Sequence, residues 1–390
     1  MVKRVLLLLP AIVVVLSCRK PYLPPAVVSS PSYLVVEGTI ITSSTDSTVF
    51  KLSRTVKLSD STTSAAEAGA QVNVQDEAGR SYLLTETSKG HYAAPALGLN
   101  PAGKYRLSIK RANGSSYASD YVQSKTSPPI DSVTYRVEDE GLYIYVSSHD
   151  ATNQTRYYRW DYQENWQFHT YYQSFFVSDG TKIRPRTPAE DVYNCYQSHA
   201  SNVIILSNTL KLQQDVISQQ PVTFVRGASE KVSNIYSIQV RQYPLTPEAY
   251  DFWQNMKRIT EQTGSIFDAQ PTQLTGNIHN TADAAEPVIG YISAGTVAAR
   301  RIYVKRFDIN KAWLDEENAG CDLDENYKPF VYNNNGSNEV GQFLVPRLYL
   351  PLAEFYKKVD LTGLGFGSSS FRCGDCTTRG IKIKPSFWPY

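Results

Sequence analysis

Between Arg156 and Phe176 the chain sets ten aromatic residues: Tyr157, Tyr158, Trp160, Tyr162, Trp166, Phe168, Tyr171, Tyr172, Phe175 and Phe176. Arg156–Phe168 reads as a strand, and side chains along a strand alternate between its two faces. One face must enter a core, so about five of these rings serve packing. Tyr171, Tyr172, Phe175 and Phe176 follow the regular strand. They are the candidate binding surface, because large amphipathic rings give contact area at low side-chain entropy cost; packing alone is the alternative reading of the whole stretch.

The rest of the chain has the same β character. Tyr33–Ile41, Val49–Arg54, Gln71–Gln75, Ser81–Glu86, Lys104–Lys110 and Tyr117–Val122 are rich in Val, Leu, Thr and Tyr and are separated by polar turns. In Lys104–Lys110, Tyr105, Leu107 and Ile109 share one face while Arg106 and Ser108 take the other. Asn113-Gly114 tolerates the positive φ of a hairpin turn. These strands predict a sandwich over residues 33–127. Pro128-Pro129 then enforces an extended linker. Residues 128–390 follow as a second β domain, with strands at Ser132–Val137, Leu142–Ser147, Arg156–Phe168, Val203–Ser207, Val222–Val225, Ile235–Tyr243 and Arg301–Val304. Their spacing predicts a fibronectin-type sandwich with long insertions. One insertion is a helix at about 246–264, with Thr246 as N-cap, Pro247 in the first turn, Gly264 as stop, and Phe252, Met256 and Ile259 as its packing face. The expected fold class is mainly β, an N-terminal Ig-like sandwich followed by a fibronectin-type one. A chain of 390 residues exceeds one core of about 250 residues, which agrees with two domains.

The N-terminus says where such a chain goes. Lys3 and Arg4 precede an apolar run, Val5 to Leu16, that is shorter than the ~20 residues a membrane-spanning helix needs but suits a signal-peptide core. Val15-Leu16-Ser17-Cys18 resembles a bacterial lipobox. That implies a leader over residues 1–17 and a mature chain that starts at a lipidated Cys18, held on a bilayer by its acyl chains. An ordinary leader with a chance cysteine is the alternative. Residues 18–32, with Pro21, Pro24, Pro25 and Pro31, form a stiff tether. Without the leader, Lys+Arg falls from 39 to 37, equal to the 37 Asp+Glu. A neutral chain lacks the basic surplus of a polyanion binder, so no nucleic-acid partner is expected.

Four further cysteines remain: Cys195, Cys321, Cys373 and Cys376. An even number in an exported chain favours two disulfides, with three possible connectivities; a zinc site through the Cys373/Cys376 CxxC is the rival, and it lacks a second CxxC. Long loops gain most from closure, so Cys373 and Cys376 are expected to pair separately with the two distant cysteines, an adjacent bridge being the alternative.

No nucleophile elbow, HExxH, P-loop or dinucleotide fingerprint is present in the sequence. The five histidines, His91, His149, His169, His199 and His279, are scattered. Asp322, Asp324 and Asn326 have the alternation of a calcium loop, but Tyr327 stands where such a loop needs glycine. No catalytic residue, metal or cofactor is assigned.

Two resemblances add to this reading. Gly90-His91-Tyr92 with Leu99-Asn100-Pro101-Ala102-Gly103-Lys104-Tyr105 resembles the pattern of carboxypeptidase-regulatory-like domains, with Ala102 an extra residue. Several segments together resemble the Bacteroidota lipoprotein family known as domain of unknown function 4249. They are Lys20-Pro21-Tyr22 after the lipobox, Tyr33–Gly38, Cys195-Tyr196, Gln242–Tyr250, Ser265–Pro271, Gly276-Asn277-Ile278, Pro287–Tyr291, Cys373-Gly374-Asp375-Cys376 and Pro385–Trp388. Arg379-Gly380 stands where the family has Gly-Gly. The resemblance implies an outer-membrane lipoprotein and an accessory or ligand-capturing role beside a TonB-dependent β-barrel receptor. It does not imply which side of the membrane the protein faces. A structural or adhesion role in the envelope, and a hydrolase, are the alternatives.

Overall fold

The structure, a computed structural model, describes residues 32–56, 65–261, 276–309, 313, 318–321, 327–332, 336–356 and 364–389. The expected leader, Cys18, the expected tether up to Pro31, Gly264, Ser265–Pro271, Asp322–Asn326 and Asn333–Asn335 lie outside the described residues. The chain is mainly β, 49 % strand and 12 % helical, and Pro247–Glu261 is the only helix of seven or more residues among those described.

Among the described residues, eleven strands make one sheet that folds over on itself. It turns at Ser81–Ser88. The first half of that strand pairs with Val72–Gln75, and the second half, which carries a register shift between Glu86 and Ser88, pairs with His91–Ala93. One strand therefore serves two layers. Val72, Val74, Leu107 and Ile109 of one layer meet Leu34, Val36, Phe50, Leu52 and Tyr92 of the other. Strict alternation makes this possible: Gln71–Asp76 buries Val72 and Val74, and Lys104–Lys110 buries Tyr105, Leu107 and Ile109.

The outer strands of this sandwich are closed by a distant segment. Ile278–Asn280 pairs with Tyr117–Ser119, Val288–Ile289 runs parallel to Leu34–Val35, and Ala294–Gly295 runs parallel to Ile40–Ile41. Residues 276–295 are thus strands of the first sandwich, and the expected division at 127/128 is corrected there. The physical reason is that open edges present unpaired backbone groups, and this strap satisfies them while burying Ile278, Val288, Ile292 and Ala294. The amide of Asn277 clamps the strap, donating to Ile292 O at 3.0 Å and accepting from Ile292 N at 2.8 Å. Gly290 sits at φ 144°, where a Cβ would run into the carbonyl oxygen of Val36.

The second sandwich sets a three-stranded sheet against a larger one. Ile130–Glu138, Gly141–Asp150 and Asp215–Arg226 lie in that order. Facing them are Asn194–Ala200, Tyr157–His169, Ile235–Pro244 and Ala298–Lys305, with Ile205–Asn208 also on Tyr157–His169. This is the fibronectin-type arrangement. The strand Asn194–Ala200, whose polar sequence gave no periodic signal, was not foreseen. The shared core joins Ile130, Leu142, Ile144, Val146 and Val225 to Tyr158, Trp160, Tyr162, Phe168, Tyr236 and Ile238. Gln242 ties this core to the proline linker. Its buried amide donates to Pro128 O at 2.9 Å and to Ser148 Oγ at 3.0 Å, and accepts from the Trp160 indole at 3.0 Å.

The C-terminal part is more than a tail of the second sandwich. Tyr327–Val331, Leu364–Ser369 and Leu350–Tyr356 form a separate three-stranded sheet. Its small core of Phe330, Val340, Leu344 and Phe366 takes in Phe176 and Ile183 from the long insertion after Tyr157–His169. Two disulfides stitch it down: Cys195–Cys376 and Cys321–Cys373, each with Cα atoms 5.6 Å apart. The chain then returns to the second sandwich, where Trp388 is buried against Tyr196 and Tyr303.

Two outcomes test this architecture by thermal unfolding. Replacing Cys195 and Cys376 together by Ser should destabilise the protein by about 2–5 kcal/mol, because a long loop is released in the unfolded state. Gly290→Ala should cost about 1–3 kcal/mol through backbone strain at the strap, whereas Gly114→Ala, at an open turn, should cost less.

Candidate functional site

The outer face of the strand pair Tyr157–His169 and Ile235–Pro244 is where polar chemistry collects. Tyr158, Trp160 and Tyr162 point into the core, so alternation turns Arg159 and Asp161 the other way. In register, Arg159 faces Tyr243 and Asp161 faces Arg241. The helix Pro247–Glu261 brings in the last part. Thr246 caps it, its hydroxyl accepting from Ala249 N at 3.2 Å. Ala249 and Tyr250 dock it on Leu245, with Tyr157 and Leu206 alongside. Buried Phe252 belongs to this docked face, while Met256 and Ile259, also expected there, are only half-buried. Docking this way presents Trp253 beside Tyr243.

The Arg159 guanidinium lies 4.2 Å from the Tyr243 ring centre and 4.7 Å from that of Trp253. Its nearest carboxylate oxygen, on Asp161, is 3.8 Å away, beyond hydrogen-bond range. Asp161 is engaged by Arg241, whose Nε donates to it at 2.6 Å. Burial pushes the Tyr243 hydroxyl up to about 12, with Asp161 adding to the shift and the two arginines opposing it. For Arg241, burial pulls downward, yet Asp161 and Tyr243 more than offset it and the net shift is up.

These groups line one wall of a cleft of about 540 Å³ between the sandwiches. The first sandwich supplies the opposite wall with Thr39, Ser47 and the ion pair Lys51–Glu37 at 3.1 Å, and Ser201 and Asn202 close one end. A second cleft, of about 640 Å³, lies at the proline linker beside Asp150. There Asp150 is used by its own loop, accepting from the backbone of Thr152, Gln154 and Thr155 and from two threonine hydroxyls.

One buried carboxylate has a histidine beside it. Glu164, with its side chain 2 % exposed, accepts from Tyr236 at 2.7 Å, from Lys231 at 2.6 Å and from His199 at 3.2 Å. It lines neither cleft, and its partners make it a satisfied structural node. Among the described residues no group of three or more His, Cys, Asp or Glu is placed to hold a metal ion.

The residues singled out from the sequence separate into two kinds. Of the ten rings, Tyr158, Trp160, Tyr162, Trp166 and Phe168 are buried. Tyr172 and Phe176 are half-buried: Tyr172 sits against Tyr171 and Tyr327, and Phe176 packs edge-on to Phe366. Tyr171 and Phe175 are 47 % and 52 % exposed. Backbone bonds from Tyr172 N to Cys373 O and from Phe175 N to Leu352 O hold this corner on the disulfide-bonded sheet. The four cysteines come together as two pairs, and Cys18 is outside the described residues. Arg159, Asp161, Arg241 and Trp253 were missed. Their signal was present as the Arg-x-Asp alternation between the rings, which the aromatic content of that strand overshadowed.

The fold and these sites define a disulfide-bonded, multi-sheet β protein whose polar groups converge in a cleft between two sandwiches. The chain belongs to the family described as Domain of unknown function (DUF4249), whose match spans residues 19–301. No curated protein matches its sequence. Among solved structures it is similar to a DUF3823 family protein from Parabacteroides merdae, at 10 % identity over 55 % of this chain and 92 % of that one, with a TM-score of 0.14. It is also similar to the chitinase ChiA74 from Bacillus thuringiensis (11 % identity, 51 % and 29 % covered, TM-score 0.15) and to the BSP domain of a biofilm associated protein (6 %, 73 % and 63 %, TM-score 0.13). Similarity at this level fixes neither topology nor activity.

Serine substitutions separate the two kinds of ring. Tyr171→Ser with Phe175→Ser should leave the melting temperature within about 2 °C of the parent. Phe176→Ser should lower stability by about 2–4 kcal/mol, since it empties a packed site.

Proposed function

We propose that this protein is an exported, lipid-anchored outer-membrane protein that works by contact, as an accessory or ligand-capturing partner of a TonB-dependent β-barrel receptor. The observation that carries this reading is the corner of Tyr171 and Phe175. Two exposed rings are held on a frame fixed by two disulfides and by backbone hydrogen bonds, so little entropy is lost when a partner covers them. The lipobox-like Val15–Cys18 and the even set of cysteines support an oxidising, exported setting. No helix among the described residues is long and apolar enough to cross a membrane, and attachment through Cys18 needs none. Several acyl chains together hold a protein on a bilayer stably, where one chain alone binds marginally.

Two measurements test the reading. Cys18→Ala should release the protein into the soluble fraction or stall its processing, and unchanged membrane retention would refute the anchor. Tyr171→Ser with Phe175→Ser should abolish co-purification of a β-barrel receptor while the protein stays folded and anchored. Full co-purification by the folded double variant would refute the contact, and attachment to the cell wall with no receptor would favour the adhesion role.

A further inference from the structure

Among the described residues Arg159 has no hydrogen-bond acceptor, and its ion-pair partner Asp161 stands 3.8 Å away. The Arg159 side chain is 15 % exposed, and its Nε is buried with no hydrogen-bond partner. Among the described residues its guanidinium makes no hydrogen bond. The rings of Tyr243 and Trp253 satisfy its charge through their faces but accept none of its in-plane N–H groups. A donor left in this state is costly, and the part of the side chain that stays exposed leaves the terminal N–H groups open to an acceptor in the cleft. Asp161 offsets part of the charge but supplies no hydrogen bond: its Oδ2 stands 3.8 Å from Arg159 Nη1, while its Oδ1 accepts from Arg241 Nε at 2.6 Å.

From this we infer that the cleft between the sandwiches binds a carboxylate carried by a small polar molecule, with Arg159 as its principal anchor. Three features select that chemistry. A guanidinium fixed in one plane presents a fork of N–H donors that matches the two oxygens of a carboxylate. Along the cleft, Arg159, Arg241 and Lys51 stand against Asp161 and Glu37, leaving one surplus positive charge for a single anionic group. Thr39, Ser47, Ser201 and Asn202 line the remaining space with groups that hydrogen-bond hydroxyls or amides. The cleft volume falls in the range of small-molecule sites, about 300–1,000 Å³. An acidic sugar and the free C-terminus of a short peptide both supply this chemistry. The site lies in a different part of the molecule from the Tyr171 corner and does not depend on the receptor contact.

Calorimetric titration of the full-length mature protein tests the assignment with two matched pairs of probes. D-galacturonate is set against D-galactose, and acetyl-trialanine against its amide. In at least one pair the acid should bind at least about tenfold more tightly than its neutral partner, and its binding should weaken as salt is raised. Arg159→Gln should remove that preference, and Arg159→Lys should fail to restore it, since an ammonium lacks the planar fork. Asn202→Trp, at an exposed position at the mouth, should block binding without unfolding the protein, which guards against a variant that merely loses its fold. A preference in the sugar pair identifies an acidic sugar, and one in the peptide pair identifies a peptide terminus. Equal binding of acid and neutral partner in both pairs, or an acid preference that survives Arg159→Gln, would overturn the inference.

Discussion

The two-sidedness of Tyr157–His169 is the constraint on which the rest of the structure depends. Tyr158, Trp160, Tyr162, Trp166 and Phe168 enter the core of the second sandwich, and each aromatic side chain buries on the order of 150–250 Å². Trp160 is admitted because its indole N–H reaches Gln242, as a buried tryptophan requires. The same period of two sends Arg159 and Asp161 outward. A one-residue slip would exchange the two faces, so the register that packs the core also builds the floor of the cleft. Strands 194–200, 205–208 and 235–244 all pair with this one.

Around that strand the molecule is joined by long-range closures more than by consecutive packing. The strap of residues 276–295 leaves the second sandwich to pair with both outer strands of the first. Gln242 hydrogen-bonds the linker to the core, and Lys125 bridges to Gly295. These ties hold the sandwiches against each other, which gives the cleft its two walls. The family match ends at residue 301, inside the strand Ala298–Lys305. Cys321, Cys373 and Cys376 and the small C-terminal sheet therefore lie beyond the matched stretch. The exposed aromatic corner is held by that sheet, while the Arg159 cleft is built from matched residues.

Some of this was legible in the chain. Alternation gave the strands of both sandwiches, because one buried face leaves a period-two mark at Lys104–Lys110 and Tyr157–His169. Thr246-Pro247 marked the start of the helix, since capping is a local interaction. Cysteine number pointed to two disulfides, and the matching segments pointed to the family. Tyr172 and Phe176 could not be told from Tyr171 and Phe175, because what separates them is the position of Tyr327 and Phe366, far along the chain.

Tertiary structure decided the rest. The strap pairs through stretches of two or three residues, too short to carry a period, and only the open strands they meet explain them. The pairing of Cys195 with Cys376 and of Cys321 with Cys373 depended on which loops the sheets bring within reach. The cleft is the clearest case. Their own strand does not by itself mark Arg159 and Asp161 as a site, and they become one only when Tyr243 arrives across the sheet, Trp253 from the helix and Lys51 from the other sandwich. Sequence determines which way a side chain points from its own strand, a local matter of backbone geometry. What that side chain then meets is set by the global packing of segments that lie far apart in the chain.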